Sequence, residues 1–162
     1  MLPSIPSLLR LRLLGLRPHL VLTEIHLVDG ALLYRCIDAR DHVPTEVRAV
    51  RPSTADWEAL RRVLDTAAFW AWQRRWPPVP DDYEGEFAIA IACAGRAWRS
   101  AGSLGVAREV DDVLDEVGRL VGNAPRHASQ AVPTLRRGAL PPPYRLDVLG
   151  GADHVPALPS LR

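Results

Sequence analysis

The sequence predicts an α+β fold, a two-layer sandwich in which an antiparallel sheet of about five strands carries two helices on one face, in the order βββ-α-ββ-α. Three observations predict it. Asp29-Gly30 sits between two β-prone runs, the pattern of a tight hairpin whose turn needs positive φ at both central residues. Two later stretches repeat apolar residues at helical spacing. Between them, residues 86–93 alternate large and small apolar side chains with the period of a strand.

In the first run, residues 20–28, Val21, Thr23, Ile25 and Leu27 share one face and Leu20, Leu22, Glu24, His26 and Val28 the other, so the first set is expected to face the core. Residues 31–37 return as the second strand. A polar loop over 38–45 leads to a third, partly exposed strand over 46–51, which Pro52 ends. Ser53, with Asp56 three residues on, then opens a helix as a capping box. Trp57, Leu60, Leu64 and Ala67 form its buried stripe, opposite Glu58, Arg61, Arg62 and Asp65. The helix is expected to reach Phe69 or Trp72, and Pro77, Pro78 and Pro80 forbid its continuation.

After an acidic turn at 81–84, Phe87, Ile89, Ile91 and Cys93 line one face of a central strand and Ala88, Ala90 and Ala92 the other. Ala94-Gly95 turns the chain into residues 96–100, a second hairpin. Val106, Val110, Val113, Leu114, Val117, Leu120 and Val121 make one continuous helical face, with acids near its start, Arg119 near its end, and Gly122-Asn123 as a left-handed stop.

The charge distribution divides the chain into a basic N-terminal arm over residues 1–19, an α+β domain over 20–122, and a Pro/Arg-rich tail over 123–162 read as largely disordered. A net charge of +1 conceals this gradient: all twenty basic residues are arginine, and the ends are basic around an acidic body. The absence of lysine is read as GC-rich coding. Within the arm, the alternation from Leu9 to Leu13 suits a flexible segment, an interfacial helix or an edge strand, ranked in that order. Tyr144, Leu146, Val148 and Leu149 form a candidate docking motif in the tail.

The wording from Trp57 onward, with Trp70 and Trp72 closing a helix, Glu84-Gly85 at a turn, and Ser100 and Gly102 before the last helix, resembles a group of uncharacterised bacterial α+β proteins. The likeness covers about seventy residues in the middle of the chain and departs from the group's pattern at Glu84, Phe87 and Leu104. It implies a fold and no activity.

Candidate chemistry is sparse. Trp72, Arg74, Arg75 and Trp76, with Tyr83 nearby, could form an aromatic and basic ledge for a partner's side chains or for bases. The competing reading packs these tryptophans at the end of the helix. Gly102, Ser103, Leu104 and Gly105 precede a helix and could offer N–H groups to an anion. The acids at 81–86 lack the spacing of a calcium loop, and the five histidines lack metal-ligand spacing, so neither a metal site nor a cofactor is expected. No catalytic motif is present in the sequence.

Cys36 and Cys93 are read as buried thiols in a reducing, cytoplasmic setting, with a bridge possible only between neighbouring strands. No apolar run is long enough to span a bilayer. The expected function is therefore a non-enzymatic module that binds another protein. Nucleic-acid binding through the arginine ends is the first alternative, and an enzyme acting on a small metabolite the second.

Overall fold

A computed structural model describes residues 5–15, 20–78 and 85–123. Its centre is one six-stranded antiparallel sheet with strands β1 (Leu8–Gly15), β2 (Val21–Val28), β3 (Ala31–Asp38), β4 (Val43–Val50), β5 (Gly85–Cys93) and β6 (Arg96–Ser103). Helices α1 (Thr54–Thr66) and α2 (Arg108–Leu120) follow β4 and β6. The sheet order is β4-β3-β2-β1-β5-β6, so the first four strands form a meander and the α1 crossover delivers β5 to the free side of β1. Six strands replace the five expected.

The additional strand is β1, which corrects the reading of residues 1–19 as an arm. It pairs with β2 from Arg10 opposite His26 to Gly15 opposite Val21, and with β5 from Leu8 opposite Ala92 to Gly15 opposite Gly85. It is not an edge strand but an interior one. The charges that argue for an arm are accommodated because period two sends Leu9 and Leu11 into the core and Arg10 and Arg12 to the opposite face. Residues 1–4 and 16–19, the acidic turn, and the tail with its docking motif lie outside the described residues.

Both helices bury into one cluster. Trp57, Leu60 and Leu64 of α1, and Val110, Val113, Leu114, Val117 and Leu120 of α2, meet Leu9, Leu11, Ile25, Leu32, Phe87, Ile89 and Ile91 from a single face of the sheet. The large side chains of β5 thus point to the helices and its alanines away from them.

The punctuation follows from local chemistry. Asp29 and Gly30 have φ of 49° and 75°, as do Ala94 and Gly95 at 50° and 76°, which gives two hairpins of the same twist. The Ser53 side chain accepts from the Asp56 N–H at 3.2 Å while the Asp56 carboxylate accepts from the Ser53 N–H at 2.9 Å. The Ser53 hydroxyl also donates to the Asp56 carboxylate at 2.7 Å, and this bond, then the Ser53 N–H and Arg119 at 3.1 Å, hold the carboxyl below its ordinary pKa. At the end of α2 the Asn123 N–H reaches the Gly118 carbonyl and the Gly122 N–H the Arg119 carbonyl, a Schellman closure with Gly122 at φ 83°.

Two boundaries differ from expectation. Strand β4 begins at Val43, earlier than the polar segment suggests, and its Pro44 is tolerated because β4 is an edge. Helix α1 stops at Thr66, because Ala68 takes the left-handed conformation and only a 3-10 turn, Phe69–Ala71, follows. An exposed alanine at φ 49° carries a steric cost that glycine does not. Ala68→Gly is therefore expected to raise the unfolding free energy by about 1 kcal/mol, read as a higher urea midpoint at unchanged slope.

Neither Cys36 nor Cys93 is in a disulfide. They lie on β3 and β5 with β2 and β1 between, three strand spacings or roughly 14 Å apart across the sheet, and the register sets Cys93 six residues farther along β5 from the row of Cys36, too far for a bridge. No helix among the described residues is long and apolar enough to cross a membrane.

Candidate functional site

The tryptophan ledge is built into the fold. Trp72 is 5% exposed, and its Nε1 donates to the Ala67 carbonyl at 2.7 Å. Its ring packs edge-on against Phe69 and Trp76, with centroids 5.0 and 5.8 Å away. Trp76 donates to the Ser100 hydroxyl at 2.9 Å, and that hydroxyl donates to the Gln73 carbonyl at 2.6 Å. Trp98 reaches the Trp72 carbonyl from β6.

The backbone of residues 74–76 clips onto the sheet edge. The Ala101 N–H donates to Arg74 and the Trp76 N–H to Ala101. The aromatic rings thus hold the α1–β5 connection against β6, and Trp72 has no face to offer a base. Of the expected ledge, Arg74 and Arg75 are exposed, and Arg74 lies over the Trp98 ring at 5.1 Å. Tyr83 lies outside the described residues.

The expected anion site also resolves otherwise. Gly102 and Ser103 belong to β6, and a Cβ on Gly102 would come 2.7 Å from Trp76 Cβ, so the glycine makes room for that ring. Ser103 is buried, and Gly105 sits in the turn beyond it. The first turn of α2 begins later, at Arg108, and carries Glu109 and Asp111, carboxylates that already suit the helix dipole.

A shallow depression beside α1 is lined by Arg61, Asp65, Trp70, Cys93, Ala94 and Arg96. Asp65 occupies it, 3.8 Å from Arg61 and 3.9 Å from Arg96, and accepts from Trp70 Nε1 at 3.3 Å. Burial pushes the Cys93 thiol up, away from the thiolate form a nucleophile needs. Among the described residues no group of three or more His, Cys, Asp or Glu side chains could hold a metal ion.

Among the described residues, a further set of charged side chains lies on the face of the sheet that bears neither α1 nor α2. Strand register places Arg99, Ala90, Arg10, His26 and Leu33 in one row across five strands, and Ala101, Ala88, Arg12, Glu24, Arg35 and Val47 in the next. Four arginines and a histidine thus share a surface with one carboxylate in those rows. Glu24 is held between Arg12 at 3.3 Å and Arg35 at 3.8 Å, with 14% of its side chain exposed. Burial, partly offset by Glu24, lowers the Arg12 pKa from its ordinary value.

The alanines of β5 supply a low floor beside these side chains, and Ala88, Ala90 and Ala92 are all buried. One end of the face is closed by an apolar cluster of Leu14, Leu22, Ile37, Ala39, Ala88 and Ala101, against which Leu20 packs. No Phe, Tyr or Trp side chain stands in either row.

His26 is the most unusual member. Its Nε2 is shielded from solvent without a hydrogen-bond partner among the described residues. Burial, and then the nearby Arg10, push its pKa below the ordinary histidine value, Arg12 and Arg35 acting in the same direction against Glu24. The imidazole is therefore neutral at pH 7.

This surface is absent from the expected set of site residues. Its traces in the sequence are the Leu-Arg-Leu-Arg-Leu alternation and the Glu24–His26 side of the second strand. Neither becomes a site until β1 is placed between β2 and β5. Comparison with protein-family models finds no match to this chain, and comparison with curated proteins finds none.

Proposed function

We propose that this chain is a non-enzymatic interaction module that receives an acidic partner protein on the helix-free face of its sheet. The observation that carries this reading is the gathering of Arg10, Arg12, Arg35, Arg99 and His26 in two adjacent rows whose one carboxylate is Glu24, with Glu86 of β5 buried in the row beyond. Arginine is suited to such a role because its planar fork pairs with carboxylates and is more weakly hydrated than an ammonium group. The buried thiol of Cys93 and the engaged hydroxyl of Ser100 favour binding over catalysis.

Charge selects the occupant. A second copy of the same face would set arginine against arginine. The segment 124–162 of this chain carries five arginines and two acids, so it is repelled as well. A surface rich in Asp and Glu is complementary.

The test is a pull-down from the native source with the full chain and with an Arg35→Glu, Arg99→Glu double variant, both verified as folded by thermal melting. The expected result is a stoichiometric protein of net negative charge that the parent chain retains, that moderate salt releases, and that the double variant loses. Retention of the same protein by the double variant overturns the reading. Recovery of nucleic acid in place of protein overturns it too, in favour of phosphate binding.

A further inference from the structure

Within this face, Arg10 and His26 stand directly opposite each other across β1 and β2, where side chains of an antiparallel pair come within about 5 Å at Cβ. Their surroundings differ from those of the next row. There, Glu24 already supplies a counter-charge to Arg12 and Arg35. In the Arg10 row no carboxylate is present: Arg10 is flanked by Ala90 on β5, and His26 by Leu33 on β3. Among the described residues, the orphaned Nε2 of His26 and the guanidinium of Arg10 therefore share a row that holds no carboxylate, floored by a buried alanine, with Glu24 in the row beside them.

We propose that Arg10 and His26 form a carboxylate subsite, which receives one Asp or Glu side chain of the acidic partner. This rests on the reading of the face as an interface and adds the anchoring point within it. A carboxylate seated here takes the two N–H bonds of the Arg10 fork and a third from His26 Nε2–H, and so satisfies the buried imidazole atom.

The subsite has a built-in pH response. Among the described residues, the groups facing His26 are Arg10 and Arg12 on β1, Glu24 on its own strand and Arg35 on β3, with Arg99 farther along the row on β6 and neither α1 nor α2 on this side. In the free protein burial, and after it the arginines, disfavour the imidazolium. A bound carboxylate favours the imidazolium and raises its pKa, so binding takes up a proton and affinity rises as pH falls from 7.5 towards 6.0.

The experiment measures fluorescence polarisation of a labelled ten-residue oligoglutamate, and of a labelled oligothymidylate of equal charge, against the full chain between pH 7.5 and 6.0. Arg10→Gln is expected to weaken the oligoglutamate about tenfold or more, the scale of a lost charge-assisted pair. The parent chain is expected to bind severalfold more tightly at pH 6.0, and His26→Gln to remove that pH dependence.

Three outcomes would overturn the subsite. They are no saturable oligoglutamate binding, tighter binding of the oligothymidylate, and a pH response that persists in His26→Gln. If binding survives Arg10→Gln and His26→Gln but is lost in the Arg35→Glu, Arg99→Glu variant, the subsite fails while the face remains the interface. Survival in all of these folded variants removes both.

Discussion

Trp72→Ala is expected to lower the unfolding free energy by about 3–5 kcal/mol, the cost typical of deleting a fully packed aromatic side chain. The ring is 5% exposed and wedged edge-on between Phe69 and Trp76. Its loss leaves a cavity under the 3-10 turn and strands the Ala67 carbonyl that Nε1 now satisfies at 2.7 Å. Because small domains have only about 5–15 kcal/mol of stability in total, this one change should move the urea midpoint far toward zero denaturant. Trp72→Phe retains most of the buried area but not the hydrogen bond, and should fall between the two. A loss below about 1 kcal/mol for the alanine variant would show that the ring is presented outward and would restore the ledge as a binding surface.

The second large effect is expected at Gly85. Its φ of +144° is a conformation that side chains rarely adopt, and a Cβ there would land on the Leu14 carbonyl oxygen with Leu104 Cδ1 3.0 Å away. The backbone of β1 lies there and has no flexible end to yield. Gly85→Ala should therefore cost at least about 3 kcal/mol, combining φ/ψ strain with a steric clash against main chain. The damage should be localised where β1, β5 and β6 meet, because Gly85 opposes Gly15 and its carbonyl accepts the Leu104 N–H at 2.9 Å. Amide hydrogen exchange checks this directly: the Leu104 amide should lose protection before those of Ile89 or Leu11. Uniform loss of protection at those amides would contradict it.

The parts of this fold legible in the sequence are those whose causes are local. Asp29-Gly30 dictates its hairpin through backbone sterics alone, Ser53 and Asp56 cap their helix across three residues, and the apolar face of α2 repeats without interruption. What escaped is non-local. Whether the Leu9–Leu13 alternation is an arm or an interior strand depends on β5, some eighty positions later, and nothing in the N-terminal segment specifies that partner. The burial of Trp72 is non-local for a related reason: Trp72, Arg74, Arg75 and Trp76 are close in sequence, yet β6 decides which of them is covered, through Ser100, Gly102 and Trp98. The basic face inherits both difficulties, because its residues come from four strands and become neighbours only through sheet order.

That sheet order also dictates how the molecule has to be assembled in time. The meander of the first four strands can close as soon as residue 50 is available, but one flank of β1 then stays open until β5 is made. At about 5–20 residues per second, the ribosome takes ~4–17 s to travel from Leu8 to Ala92. Throughout that interval the nascent chain displays an unfilled row of N–H and C=O groups beside Leu9, Leu11 and Leu13. It is the kind of edge on which strands from other chains can seed. The hairpin of β5 and β6 is therefore both the last part of the sheet to arrive and the piece that removes this hazard from the finished protein.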